Sequence, residues 1–519
     1  MKEKDMSSQS GVVEKNKSLF EKYHVGLFIF VLFYLIFTFL SFKDFPITTD
    51  EQFRYQRGQE MLDNYLNSKY LQTFIFPDKE PDTYYFYVML LNILNPNFYY
   101  EWFHLQNMIF GLIGFITIYF LVFSYTKNPF FSTLGPIFLF LIPGYSGLIP
   151  ANPIDGPFAS LVILNIFLIY YFRNEGFTFK KIITLGFSFW LLLGIRPVGY
   201  QFFLHFIVFG LFFSDRTIPF WNKLLLDLKT IVLIFFVASF LSVISWPYLG
   251  INYFKNFPGI LFVNSKYDKW DLQILFNGSF VTKEDRPWNY LFTYILFTLP
   301  FFILAPLTSP VFNLKSKLKQ FVTYILLFNL TLYLILQPVI YNGLRHFLYL
   351  IPIICAMSLF SLWDFLNSKL SQKIKIFGLI PVFLSIFWTL FEVWKMYPNH
   401  YAYFNEISGG FRKNYNKYET EYWGGLYKEG AIYIRDNLSG KNPSDLKVFS
   451  CNLGYSVDYY SHKKFSMAGK LSEADIIICD FVENAKNNFQ GRVIKEIKLH
   501  DVPYIFIREN ELKKINFKT

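Results

Sequence analysis

Charge is what this sequence is short of. Asp, Glu, Lys and Arg make up 17% of its 519 residues, where a water-soluble chain carries about a quarter. That shortage excludes one large soluble core. Ionisable residues are scarcer still inside the apolar runs, with His205 the clearest exception, a lone histidine best read as a packing residue. Ion-coupled transporters need charged groups within their spans, so the scarcity argues against transport. The last 125 or so residues lack the clustered His and Asp of a metal-dependent hydrolase-like domain, which excludes a phosphoethanolamine-transferase type of enzyme. No small-residue cleavage site follows the first apolar run, which therefore reads as an anchor that stays. Cysteine is limited to three residues. Cys355 lies in an apolar run as a small core residue, while Cys451 and Cys479 form a disulfide only if they meet in an oxidising compartment.

What is present is apolar and aromatic. Hydrophobic residues make up 53% and aromatics 22%, with 66 Phe, and they are gathered into long runs. A spanning helix needs about 20 apolar residues. Runs of this kind lie at 25–42, 102–124, 130–149, 157–172, 182–195, 198–213, 230–249, 291–307, 321–339, 347–363 and 376–394, about eleven in all. Pro197 separates the fifth from the sixth, which count as two spans or as one kinked helix. The basic residues decide between these. With two spans, Lys127, Arg173, Lys180, Lys181, Arg216, Lys223, Lys229, Lys315, Lys317, Lys319, Lys369, Lys373 and Lys375 share one side with the Lys-rich N-terminus. That is the positive-inside pattern, and merging the spans breaks it. The net charge of +11 is thus a topology signal, and no nucleic-acid partner is expected.

The fold class expected is an α-helical multi-pass membrane protein with a small C-terminal extracytoplasmic α/β domain. Residues 1–24 form a cytoplasmic segment, 25–394 the membrane domain with outer loops 43–101 and 250–290, and 395–519 the outer domain. In the last, 447–451, 474–480 and 502–507 read as strands and 424–438 as a helix.

Chemistry is expected where polar residues collect, on the outer side. Arg196 and Arg345 are the basic residues of the short outer segments, each where the positive-inside rule disfavours it. Snorkelling accounts for either one alone. As a pair at the outer ends of spans they suit a phosphate, which a guanidinium binds in a bidentate way. Asp50 and Glu51, in ITTDEQFRYQRGQ, stand just after the first span, and Asp155 is the sole charge in ANPIDGP. Each alone also reads as a solvated loop acid or a helix cap. Their shared side favours a site in which Asp50 accepts a proton.

These residues resemble a family. The Asp50–Glu51 pair, followed by Arg54 and Tyr55, is similar to GT-C-fold glycosyltransferases of the protein O-mannosyltransferase and lipid A aminoarabinose-transferase type (family 39-like). LFNGSF (275–280), RPWNYL (286–291), GLRHFLY (343–349), HYAYFNEISGG (400–410) and EYWGGLYKEG (421–430) extend the likeness over most of 25–438. The acidic pair alone is a weak signal and the ordered series a strong one. Nothing in this likeness covers the chain beyond about 440.

The resemblance implies a sugar donor carried on a polyprenyl phosphate, undecaprenyl phosphate if the host is bacterial, and a plasma-membrane location. The acceptor is a glycan, a lipid or a protein. No cofactor is implied, and no equivalent of the metal site of some relatives is found. An acceptor hydroxyl or amine attacks the anomeric carbon with inversion, Asp50 is the base, and Glu51 and Asp155 orient the base or the acceptor. Arg345 and Arg196 stabilise the departing phosphate, with His346 as a further donor. The competing reading is a non-catalytic or transport protein for lipid-linked glycans.

Overall fold

The computed structural model describes residues 24–67, 84–97, 99–214, 219–245, 254–256, 273–309, 311, 313–440, 442, 445–482, 489 and 491–511. The Lys-rich N-terminus, Arg216 and much of the 250–290 loop lie outside the described residues.

Among the described residues, each expected apolar run falls on a helix or on a bent helix pair. Among the described residues, five helices are long and apolar enough to cross a membrane: Tyr100–Thr126, Asp155–Asn174, Phe220–Ser245, Lys317–Leu336 and Gln372–Met396. Two further runs are broken by proline. Pro129–Phe140 and Pro143–Ala151 meet at 66°, and Tyr290–Thr298 and Phe301–Thr308 at 106°. Counting each bent pair as one span gives seven. Val25–Ser41, Pro197–Phe213 and Leu350–Leu366 are shorter apolar helices, as is Phe179–Ile195 at 17 residues.

The break after Phe179–Ile195 follows from Pro197. A residue before proline is pushed out of the helical region, and Arg196 accordingly has φ −144° and ψ 132°. The two segments that Pro197 separates are therefore distinct helices.

The helix expected at 230–249 begins earlier, at Phe220. Lys223, Asp227 and Lys229 interrupt its hydropathy, yet Asp227 is buried against Arg173. A second buried pair joins Lys319 to Asp364 at 2.8 Å, with the Tyr125 hydroxyl on the same carboxylate. The apolar helices thus carry more charge than the sequence reading allowed, and these two pairs are partnered. Both pairs lie at the same end of the bundle. Asp155–Glu175 starts at Asp155 and reaches Arg173 one helix length on, about 27 Å at 1.5 Å per residue. Leu350–Leu366 likewise starts just after Arg345 and ends beside Asp364.

In the first of the two long loops expected on the outer side, the structure adds two helices, Glu51–Leu66 and Tyr84–Ile93. In the second, β1 (Ile274–Phe276) and β2 (Ser279–Val281) form an antiparallel hairpin. Its turn is Asn277–Gly278, both at positive φ, the conformation that a two-residue hairpin with right-handed twist requires.

The C-terminal sheet has five strands: β3 (Lys447–Ser450), β4 (Ser466–Met467), β5 (Ile476–Asp480), β6 (Val493–Leu499) and β7 (Val502–Glu509). Their order is β4-β3-β5-β7-β6, with β3 parallel to β4 and β5, and β7 antiparallel to β5 and β6. The three expected strands are β3, β5 and β7, and the expected helix is Tyr427–Asn437. A second helix, Gly454–Ser461, follows β3. Cys451 and Cys479, at the ends of the paired strands β3 and β5, are disulfide-bonded, with Cα atoms 5.1 Å apart. Cys355 is buried and free.

Candidate functional site

The site starts from two acids placed by the beginnings of two helices. Asp50 directly precedes Glu51–Leu66, and Asp155 opens Asp155–Glu175. A helix N-terminus favours negative charge. Asn152 fixes the second acid: its amide donates to Asp155 Oδ2 at 2.7 Å, and its carbonyl oxygen accepts from the Asp155 amide at 2.8 Å.

Two arginines meet these acids. Arg345 Nη2 donates to Asp50 Oδ2 at 2.7 Å, and its Nε lies 3.3 Å from Asp155 Oδ2. Arg196 Nη2 pairs with the other oxygen of Asp155. The result is one charge-balanced chain, Asp50–Arg345–Asp155–Arg196, drawn from four separate stretches of sequence. Asp155 is 3% exposed and the Arg345 side chain 9%, whereas Asp50 and Arg196 are 28% and 26% exposed. The middle of the chain of charges is buried and its two ends are partly exposed.

The Arg345 guanidinium lies over the Trp423 ring at 4.9 Å and the Tyr341 ring at 5.3 Å. Such contacts stabilise a cation and hold its plane. Its backbone is set by a tight turn in which Asn342 and Gly343 both have positive φ. A Cβ at Gly343 would stand 3.2 Å from the Tyr294 ring, so the turn needs glycine twice over. The Asn342 amide donates to Glu419 at 2.9 Å and the Gly343 amide to the Tyr290 hydroxyl at 3.0 Å, while Tyr290 donates to Glu419 at 3.0 Å.

That clasp joins the quoted motifs. In the hairpin, Gly278 donates to Lys417 O at 2.9 Å, and Leu275 O accepts from the Glu419 amide at 3.1 Å. Tyr290 belongs to RPWNYL, Gly343 and Arg345 to GLRHFLY, and Trp423 to EYWGG. Tyr401, from HYAYFNEISGG, donates to Glu421, which also accepts from the Gly425 amide at 2.8 Å. Burial pushes the Glu421 carboxyl up to about 7.

The remaining two expected residues stand apart from the chain of charges. Glu51 is fully buried and pairs with other residues. It accepts from the Thr48 amide at 2.8 Å and meets His104 Nε2 at 2.8 Å. The Thr48 hydroxyl lies 3.0 Å from both Glu51 and Ala151 O, which ties the Asp50 segment to the Asp155 loop. His346 packs against the edge of Tyr341 at 4.5 Å. Burial, with the charges of Arg345, Arg196 and Arg286, holds its imidazole well below the usual range, so it is neutral near pH 7.

The C-terminal helix Gly454–Ser461 walls one side. Tyr455 donates to Thr48 O, the Ile47 amide donates to the Tyr460 hydroxyl at 3.2 Å, and Tyr459 donates to Glu101 at 2.6 Å. Lys428 Nζ donates to the carbonyls of Lys43 and Asp44 at 2.6 and 2.9 Å, just past the end of the first helix.

No family model and no curated protein sequence matches the chain. Solved structures do. ArnT from Cupriavidus metallidurans in the apo state superposes with a TM-score of 0.53 at 12% identity, covering 94% of this chain and 98% of that one. The chain has the GT-C fold. The same ArnT bound to undecaprenyl phosphate gives 0.49 at 11% identity, covering 94% of this chain and 98% of that one. The oligosaccharyltransferase AglB from Archaeoglobus fulgidus, in complex with an inhibitory peptide and a dolichol-phosphate, gives 0.45 at 12%, covering 89% of this chain and 70% of that one.

On this GT-C framework, sequence reasoning missed several residues that shape the site. Trp423 stands inside a quoted motif but carries no sequence signal of its own beside nine other tryptophans. Asn152 is legible in hindsight as a cap three residues before Asp155. His104 has no signal, being one polar residue near the start of an apolar helix. Among the described residues, no group of three His, Cys, Asp or Glu side chains is arranged to hold a metal ion.

Proposed function

We propose that this protein transfers a sugar from a polyprenyl-phosphate carrier to an acceptor at the outer surface of the membrane. The observation that carries the reading is the chain Asp50–Arg345–Asp155–Arg196, gathered at one end of apolar helices whose other end is marked by the Arg173–Asp227 and Lys319–Asp364 pairs. A lipid-linked phosphate has its headgroup at that depth. Arginine forks there stabilise the negative charge that builds on the phosphate oxygen as the glycosidic bond breaks, and they do so more in the transition state than in the ground state.

Asp50, at the accessible end of the chain, takes the proton from the acceptor hydroxyl or amine as that atom bonds to the anomeric carbon. The electron pair of the broken bond leaves with the lipid phosphate, and a single in-line displacement inverts the anomeric configuration. Asp155 holds both arginines, and Glu51 holds the segment that carries Asp50. Residues 395–519 lie on the outer side in this reading and close the site through Gly454–Ser461.

Asp50→Asn keeps the size of the side chain and removes its proton-accepting charge. Transfer from a polyprenyl-phosphate sugar falls by about 10²–10⁴-fold while protein level is kept. Normal transfer by this variant removes Asp50 as the base. Normal transfer by Asp50→Asn, Glu51→Gln and Asp155→Asn alike removes the mechanism.

A further inference from the structure

Arg345, the arginine best placed for a phosphate, already has two of its nitrogens beside carboxylates. Arg345 faces a carboxylate at Nη2 and another at Nε, and the two are not equivalent. Asp155, on Nε, is 3% exposed, is held by Asn152 and also pairs with Arg196. It cannot leave without stranding a buried charge, a strongly unfavourable event. Asp50, on Nη2, is 28% exposed and makes no capping bond to the helix that it precedes. Its bond to Arg345 is the exchangeable one.

We propose that Asp50 and the donor phosphate compete for Nη2 of Arg345, so that arrival of the donor frees the base. This rests on the reading of the site as a lipid-phosphate transferase and adds an order of events to it. Before the donor binds, Asp50 is held on Nη2 of Arg345 at 2.7 Å. A phosphate oxygen then takes its place on Nη2. Asp155 is a positioning residue in both states: its buried carboxylate stays 3.3 Å from Nε, and this charge pairing keeps the guanidinium from swinging away during the exchange. Trp423 and Tyr341 hold the plane of the fork in the same way. No bond to carbon or phosphorus changes in this step; one ion pair replaces another. The base becomes available only when the leaving group is in place, which disfavours premature attack on the acceptor side.

The test is equilibrium binding of undecaprenyl phosphate in detergent micelles to the full chain, to Asp50→Asn, to Arg345→Ala and to the double variant. Competition predicts that Asp50→Asn binds the lipid phosphate about two- to fivefold more tightly than the parent, the worth of a part-exposed ion pair. The gain disappears in the Arg345→Ala background. Asp50→Ser gives the same comparison should the asparagine variant fold poorly. Unchanged or weaker binding by the Asp50 variants, with Arg345→Ala still weakened, overturns the competition and leaves the phosphate site standing. An equal gain in both backgrounds is a general charge effect and overturns it too. Binding unaltered by Arg345→Ala removes the phosphate site itself.

Discussion

The imidazole of His104 and the carboxylate of Glu51 meet at 2.8 Å with neither side chain exposed to solvent. This pair fixes the first turn of the helix that Asp50 precedes, so its disruption reaches Asp50 only indirectly. His104→Ala removes the imidazole from Glu51 and leaves only the Thr48 contacts, which is expected to cost about 1–3 kcal/mol. Thermal unfolding in detergent reads this as a lowered midpoint. Glu51→Gln retains an oxygen for the Thr48 amide and should lower transfer less than Asp50→Asn does.

Arg345 and Arg196 separate by the number of their duties. Arg345→Ala should reduce kcat/KM for the lipid donor by about 10²–10³-fold, the loss typical of one oriented transition-state donor. Lysine at the same position restores the charge but not the planar fork, and should recover only part of the activity. Arg196→Ala is expected to cost less, since Arg196 touches Asp155 alone in this chain of charges. Steady-state transfer with varied donor gives the comparison, and parental activity in both alanine variants removes the phosphate role.

Glu421 makes stability depend on pH. Burial raises its carboxyl to about 7, above the unfolded value near 4.3. Between these values the folded chain keeps a proton that the unfolded chain has lost, so stability is greatest below the window and falls as pH rises through it. The melting midpoint should therefore drop from pH 5 to pH 7.5, and Glu421→Gln should flatten that slope. An equal slope in both proteins assigns the dependence elsewhere.

The Cys451–Cys479 bond closes a loop of 28 residues. Such a link is worth about 3–4 kcal/mol in the chain-entropy account. Cys451 stands three residues before the helix whose Tyr455 and Tyr460 hold the Asp50 segment, so Cys451→Ser should lower both the melting midpoint and transfer. Dithiol reduction of the parent should do the same, and it should leave the serine variant unaffected.

Sidedness is open to direct labelling. Cysteine introduced at the exposed Ser472 should react with a membrane-impermeant maleimide in intact cells. Cysteine at the exposed Lys369 should react only after permeabilisation. The opposite result inverts the topology and the site with it.

The sequence was most legible where charge was rare. Against so apolar a background, Asp50, Asp155, Arg196 and Arg345 were conspicuous, and the sign of the loops placed all four on one side. The structure joins them into a single network. Aromatic residues were legible least, for the converse reason. With 37 Tyr and 10 Trp in the chain, nothing marked Trp423 or Tyr341 as the rings that flank Arg345. The start of Phe220–Ser245 was obscured by Asp227, whose charge is acceptable in a helix only because Arg173 meets it from a different stretch. Such a partnership is invisible to hydropathy. Helix positions otherwise followed the runs closely, since a segment in lipid must satisfy its own backbone.

The contacts that steady the Asp50 segment come from far along the chain: Tyr455 reaches Thr48 across 407 positions, and Tyr460 reaches Ile47 across 413. During synthesis Asp50 emerges early and the contacts that steady its segment come late. A nascent chain interrupted before residue 454 can insert most of its helices yet has no finished wall beside Asp50. The full set of contacts around the Asp50 segment is thereby deferred until the last part of the chain has been made. The same arrangement makes late truncations more harmful than their distance from Asp50 in sequence would suggest.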